Sequence, residues 1–223
     1  MMTTWFEELG FYQNPLSTKP AAFHDDVLGH EQEYLTIRYE VANGSTIGIF
    51  GAYGTGKTTM LKRIINDFGG RRRVVYYSCN KDDRPIDFKR LIRGAGNFFQ
   101  RLFGYLKTDL ILLLDEAEFL KKRDVNSLLA YNDHFRSVIF VGKRPTEQVK
   151  PLLYHEFDMD DIPESKAVEL VRSRIGDLDI ISDNMIKAIF RKDRNPRRFL
   201  KNCEDAIRKA FEEGSEVKKR HLG

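Results

Sequence analysis

Cysteine is scarce in this 223-residue chain: Cys79 and Cys203 are the only two. Two isolated thiols make neither a disulfide framework nor a metal cluster, so free cysteines in a reducing cytoplasm are expected. Long apolar runs are missing too. No stretch approaches the roughly 18 apolar residues of a membrane-spanning helix, and the N-terminus lacks the basic region and apolar core of a secretory signal. No membrane insertion is expected. Nor is there a large excess of one charge: 37 Lys and Arg against 33 Asp and Glu leave +4, which alone implies no polyanionic partner. The excess is local, because residues 186–223 hold twelve Lys or Arg and six Asp or Glu. That asymmetry permits nucleic-acid contact without requiring it. With 41% apolar and 31% charged residues, the chain reads as an ordinary soluble globular protein with one sizeable core and a small appended domain.

What is present centres on residues 51–58, GAYGTGKT. They follow a short apolar run, Thr46 to Phe50, and lead into a helical pattern from Thr58 to Phe68. This is the G-x-x-x-x-G-K-[ST] loop in its meaningful context of strand, glycine turn and helix. Gly51, Gly54 and Gly56 let the backbone curl so that the N–H groups of Ala52, Tyr53, Thr55 and their neighbours face a triphosphate, at the positive end of the next helix. Lys57 then reaches the β- and γ-phosphates, and Thr58, followed by Thr59, offers a hydroxyl to Mg²⁺.

A second decisive stretch is residues 110–118, LILLLDEAE. Five aliphatics in a row fit a central parallel strand buried on both faces. The two carboxylates after them fall at the C-terminal edge, where α/β sheets bind ligands. Asp115 is the candidate for Mg²⁺, directly or through water, and Glu116 the candidate to polarise the attacking water. Paired with the phosphate loop, this pattern implies ATP hydrolysis.

The remaining segments fill in a sheet and its helices. A helical pattern from Glu31 to Val41 ends at Asn43-Gly44, although Leu35, Ile37 and Tyr39 do not share one face. Strands are expected at Val74–Cys79, Ser137–Val141 and His155–Met159, and helices at Ile86–Leu106, Arg123–Tyr131 and Gln148–Leu153. Gly94 and Gly96 are candidates to break the first of these helices; its Phe98, Phe99, Leu102 and Phe103 are read as core. Alternating strands and helices through residue 160 imply a mostly parallel sheet covered on both faces. After Pro163 the pattern is wholly helical: Ser165–Arg174, Ser182–Phe190 and Pro196–Phe211, with Ser165, Ser182 and Asn195 as N-caps. Trp5, Phe6 and Phe11 are too apolar for a tail, and are expected to pack on the main domain or to dock a protein partner. Residues 212–223 are expected to fray.

Together these residues resemble the AAA+ ATPases of the additional-strand P-loop class. The resemblance implies an α/β fold with a five-stranded, mostly parallel sheet and a small C-terminal helical lid. It divides the chain into an aromatic arm (1–23), an AAA+ nucleotide-binding domain (24–162), a helical lid (163–211) and a basic tail (212–223). Asp26 to Glu31 looks like the segment that enters over the adenine, Thr46 to Thr59 like Walker A, and Ile111 to Glu116 like Walker B. Leu9 to Ser17, Val141 to Pro145 and Asn195 to Ala206 resemble the ExeA and TniB group of ATPases. The last of these is similar as well to the sensor-2 helix of origin-recognition ATPases. Arg197 would then be the sensor-2 arginine, with Arg198 as its alternative. Lys143 stands at sensor 1, where the family commonly has a polar uncharged residue. No arginine occurs from Pro145 through Val171, where an arginine finger is expected, which leaves Arg136 or Arg144 as displaced candidates.

Three uses of the energy remain open from the sequence. The first is Mg²⁺-dependent ATP hydrolysis coupled to assembly on, or remodelling of, nucleic-acid complexes, with an ATP-dependent homo-oligomer on duplex DNA and Arg71–Arg73 near it. The second is a protein-remodelling or secretion-linked motor that docks a partner through the N-terminal arm. The third is a nucleotide-dependent switch with weak turnover, which the missing finger favours.

Overall fold

A computed structural model of the protein describes residues 4–18, 29–69, 73–79, 84–96, 105–160 and 162–222. Asp25–Leu28, Arg71, Arg72, Asn80–Asp83, Phe98, Phe99, Leu102 and Phe103 lie outside the described residues. The chain forms two compact units. One comprises Glu31–Tyr53 and Lys57–Met159; the other comprises Met1–His30, Gly54–Gly56 and Asp160–Gly223.

The first unit is an α/β sandwich. Its elements are α2 (Glu31–Asn43), β1 (Thr46–Phe50), α3 (Lys57–Asp67), β2 (Val74–Ser78), α4 (Phe88–Ala95), β3 (Leu110–Asp115), α5 (Lys122–Ala130), β4 (Phe135–Gly142) and β5 (His155–Asp158). The five strands form one sheet in the order β2-β3-β4-β1-β5, and all four pairings are parallel. β3 shows why the aliphatic run is a strand and not a helix. Leu110, Leu112 and Leu114 face one cluster, with Phe88, Ile92, Phe135 and Phe140, while Ile111 and Leu113 point to the other face and are equally buried. Burial contributes about 1.5–3 kcal/mol for each such side chain, before conformational entropy is counted. α2 packs on β1 and β4. It buries Tyr34, Ile37 and Val41 and leaves Leu35 and Tyr39 exposed, which accounts for the imperfect face in its sequence. The Tyr34 hydroxyl donates to Asp67 at the end of α3, tying the two helices together; burial, with Asp67 alongside, pushes the Tyr34 phenol up to about 12.

Several boundaries differ from the sequence reading. β4 begins two residues earlier than expected, at Phe135. The expected helix Gln148–Leu153 is only a 3-10 turn over Lys150–Leu152, with Pro151 inside it. α4 closes at Ala95, where Gly96 takes an extended backbone, as its glycines suggested.

The second unit holds α6 (Glu164–Ile175), α7 (Asp183–Lys192) and α8 (Pro196–Glu212), together with the short N-terminal α1 (Trp5–Glu8). Ser182 caps α7 by accepting the Met185 N–H, and Asn195 caps α8 by accepting the Arg198 N–H. α6 departs from expectation. Its cap position is Pro163, with Glu164 already helical, because proline's fixed φ starts a helix without needing the side-chain acceptor that Ser165 would have supplied. Arg172 closes the α6–α7 loop by donating to the carbonyls of Leu178 (3.1 Å) and Ile181 (2.8 Å) and pairing with Asp183 (2.7 Å).

The N-terminal arm is the largest correction. Trp5 and Phe11 pack on the core of the three helices, and Leu16 is fully buried within that core. Asn14 donates to Glu204 at 2.7 Å, and Arg174 donates to the Ser17 carbonyl at 3.0 Å. Three helices of this length bury too little surface alone; the arm supplies the missing apolar wall. The tail is a second correction. Val217 and His221 are buried, the Val217 N–H donates to the Ile180 carbonyl at 2.8 Å, and Lys219–Leu222 form a 3-10 turn. The expected fraying does not occur because apolar residues continue past the helix end. The arm and the tail, separate pieces in the sequence reading, thus group with the helices. We expect Leu16→Ala to destabilise the full chain by about 2–5 kcal/mol, read by urea unfolding followed by circular dichroism. A loss below about 1 kcal/mol would mean the arm merely lies on the surface.

Candidate nucleotide site

β1 is flanked by β4 and β5, and its C-terminal end opens directly into the glycine-rich loop. Gly51 is buried and its N–H donates to the Gly142 carbonyl at 3.2 Å, anchoring the start of the loop to the neighbouring strand. Gly54 and Gly56 take φ of +90° and +101°, values a side chain resists, so the curl needs glycine at both places. The Lys57 ammonium donates to the carbonyls of Gly51 (2.7 Å) and Ala52 (2.6 Å). It is thereby held across the loop's own concavity, at the first residue of α3. Thr55 is buried, Thr59 is half-buried, and Ala52, Tyr53 and Thr58 are exposed.

β3 lies one strand away, beyond β4, and ends at the same edge of the sheet. Asp115 is half-buried and Glu116 exposed. Glu116 has φ 56° and ψ 40°, a left-handed conformation that costs a glutamate on the order of 1–2 kcal/mol. Three hydrogen bonds hold it there. Its N–H donates to Asp115 Oδ1 (2.9 Å), its carbonyl accepts from the Phe119 N–H (3.0 Å), and its Oε2 accepts from the Ser78 hydroxyl (2.7 Å). The turn separates two adjacent carboxylates that would otherwise alternate across the strand.

Lys143 follows the last residue of β4, between the strands that carry the loop and the carboxylates. Its side chain is exposed, and its N–H donates to Glu118 Oε2 at 3.3 Å. Glu118 is therefore occupied in tying the end of β4 to the turn after β3. A Cβ on Gly142 would come within 2.5 Å of that same Glu118 oxygen, so the side chain at 142 is limited by this tie.

The donor set fits a magnesium nucleotide. Mg²⁺ is usually held by one or two carboxylates together with nucleotide oxygens and waters, not by an all-protein cage. Thr58 in the first turn of α3 carries one hydroxyl and Asp115 at the end of β3 one carboxylate, the types of donor that such a site uses. The sequence from residue 47 to 160, just over half of the chain, matches the ATPase family associated with various cellular activities (AAA). The chain belongs to this family.

Three solved structures share the fold of this AAA ATPase. Cdc6p from Pyrobaculum aerophilum is 12% identical with a TM-score of 0.63, over 90% of this chain and 67% of that one. The Drosophila ORC bound to DNA is 16% identical with a TM-score of 0.60, over 95% and 65%. The Thermotoga maritima RuvB Holliday junction branch migration motor is 13% identical with a TM-score of 0.60, over 86% and 67%. The AAA ATPase thus spans about two thirds of the length of each. A comparison of its sequence with curated proteins found no match. The family's chemistry is ATP hydrolysis, and the chain is an ATPase by that membership.

Of the two sensor-2 candidates in the AAA ATPase, Arg198 is held by Asp193, with contacts of 2.7 and 3.2 Å. Arg197 lies beside Gly54, which belongs to the same compact unit: a Cβ on Gly54 would sit 2.8 Å from Arg197 Cβ and 2.9 Å from Asn195 Oδ1. For the finger, Arg136 pairs with Asp109 at 3.3 Å and donates to the Ala42 carbonyl. Asp109 is shared with Arg73, whose hydrogen bond, ahead of the Arg136 charge, holds its carboxyl below the usual range. Arg144 is exposed beside Lys143.

Sequence reasoning about the AAA ATPase missed two residues, Tyr76 and Ser78. Both lie on β2, paired in register with Leu113 and Asp115. Ser78 bonds Glu116, and the Tyr76 hydroxyl donates to Asp115 Oδ2 at 3.0 Å. Burial, then the charge of Asp115, pushes the Tyr76 phenol up to about 12, so it stays a donor at neutral pH. The one signal in the sequence was two hydroxyl side chains two residues apart, hence on one face of the strand expected at Val74–Cys79.

Proposed function

We propose that this ATPase binds Mg²⁺–ATP at Gly51–Thr59, Asp115 and Glu116, and couples its hydrolysis to assembly on, or remodelling of, nucleic-acid complexes. The observation that carries the reading is the meeting of the phosphate loop and the Asp115–Glu116 turn at one edge of a wholly parallel sheet. In this reading Lys57 and the loop amides bind the β- and γ-phosphates, and Thr58 and Asp115 hold Mg²⁺, which supplies charge neutralisation when bound. Glu116 accepts the proton of the attacking water on its carboxylate. Lys143 and Arg197 add positive charge toward the γ-phosphate. The two buried free thiols support a reducing cytoplasmic setting.

Likeness to an origin-recognition complex bound to DNA and to a branch migration motor supports the nucleic-acid coupling. So does the basic balance of residues 186–223. The experiment is light scattering of Glu116→Gln with ADP or Mg²⁺–ATP, with and without duplex DNA, at two salt concentrations. We expect monomers with ADP, larger assemblies with ATP, and DNA-enhanced assembly that weakens steeply with salt. Assembly indifferent to DNA would favour a protein-remodelling motor. A monomer throughout would favour a nucleotide-dependent switch with weak turnover, a reading that the engagement of Arg136 by Asp109 and Ala42 also supports.

A further inference from the structure

We propose that Tyr76 is a positioning residue that fixes the orientation of the Asp115 carboxylate for Mg²⁺, a role that rests on the assignment of Asp115 above. β2 is an edge strand, and Tyr76 stands opposite Leu113 while Ser78 stands opposite Asp115. Tyr76 therefore reaches two residues along the neighbouring strand, a diagonal within range of a long aromatic side chain. Its hydroxyl donates to Asp115 Oδ2 at 3.0 Å, while Oδ1 accepts the Glu116 N–H at 2.9 Å. Each carboxylate oxygen thus has one fixed donor, and rotation of the carboxylate breaks both bonds. An ionised carboxylate offers about four lone-pair sites, so both oxygens keep capacity for a cation or its waters. Packing does not account for the residue. Tyr76 is 49% exposed, and its neighbour Tyr77 is the one set against the core.

Partners of this kind, which hold a metal ligand without touching the metal, are commonly worth about 10–100-fold in metal affinity. The test uses the full chain and a non-hydrolysable ATP analogue, with calorimetry or fluorescence giving the Mg²⁺ concentration for half-maximal binding. Tyr76→Phe is expected to raise that midpoint by roughly tenfold or more, with unchanged analogue affinity at saturating Mg²⁺ and an unchanged melting temperature. Tyr76→Leu should shift the midpoint equally, since the hydroxyl carries the effect. Asp115→Ala serves as the reference and should abolish the Mg²⁺ dependence. If Asp115→Ala shifts the midpoint and Tyr76→Phe does not, the positioning role is overturned and the metal assignment stands. A shift in Tyr76→Leu alone would make the ring, not the hydroxyl, responsible, and also overturns the proposal. An unchanged midpoint in Asp115→Ala overturns both readings.

Discussion

Replacing Glu116 by Gln is expected to lower ATP turnover by roughly 10²-fold or more, the range for loss of a positioned base, while Mg²⁺ and nucleotide binding persist. Gln is nearly isosteric. Its amide oxygen still accepts the Ser78 hydroxyl, and its N–H still donates to Asp115 Oδ1, so the left-handed turn at 116 is retained. What disappears is the basic oxygen. Single-turnover hydrolysis measured beside equilibrium binding separates the two effects. Equal losses in both would make Glu116 a metal-binding or structural residue. Full activity would leave the base unassigned, and Glu118 would be a poor substitute while its carboxylate holds the end of β4.

Lys57→Ala is expected to lose productive ATP binding. Two charge-assisted hydrogen bonds to phosphate oxygens are worth about 1.5–3 kcal/mol each. Their loss weakens binding by roughly 10²–10⁴-fold. No other lysine takes over, since Lys62 is five residues further along α3, more than one turn away. The same ammonium bridges the carbonyls of Gly51 and Ala52, so the variant loosens the loop as well as removing the phosphate contact. Nucleotide titration together with circular dichroism distinguishes these: unchanged affinity and turnover would remove Lys57 from the site, whatever the melting temperature. Lys57→Arg is not expected to restore binding, because a planar fork does not substitute for a compact ammonium enclosed by a tight loop.

The sheet was legible because its signals are local. A run of five aliphatics, a loop whose backbone needs glycine at 54 and 56, and an Asp-Glu pair after a buried strand each impose their own geometry. The order of the motifs along the chain then fixes which strand ends carry them. Tyr76 and Ser78 were not legible because their meaning lies in the register between β2 and β3, which no spacing within β2 reveals. The left-handed turn at Glu116 was hidden for a similar reason: glutamate is an unlikely residue there by propensity, and hydrogen bonds to Asp115, Phe119 and, from β2, Ser78 hold it. The arm was placed wrongly because Trp5, Phe6 and Phe11 announce burial without saying against what. The arm's polar partners lie far along the chain: Asn14 donates to Glu204, and the Ser17 carbonyl accepts from Arg174.

That separation has a consequence for how the protein is made. Asn14 and Glu204, joined by a hydrogen bond, are 190 residues apart. At ordinary elongation speeds of about 5–20 residues per second, roughly 10–40 s pass between synthesis of the arm and synthesis of the helix it needs. Everything required for the parallel sheet has left the ribosome before then. Leu16, which ends with no exposed surface, spends that interval without its native neighbours, as do the aromatics beside it. Synthesis of this chain therefore includes a period in which the arm's apolar side chains are available to a chaperone or to another nascent chain, and the emergence of α8 ends it.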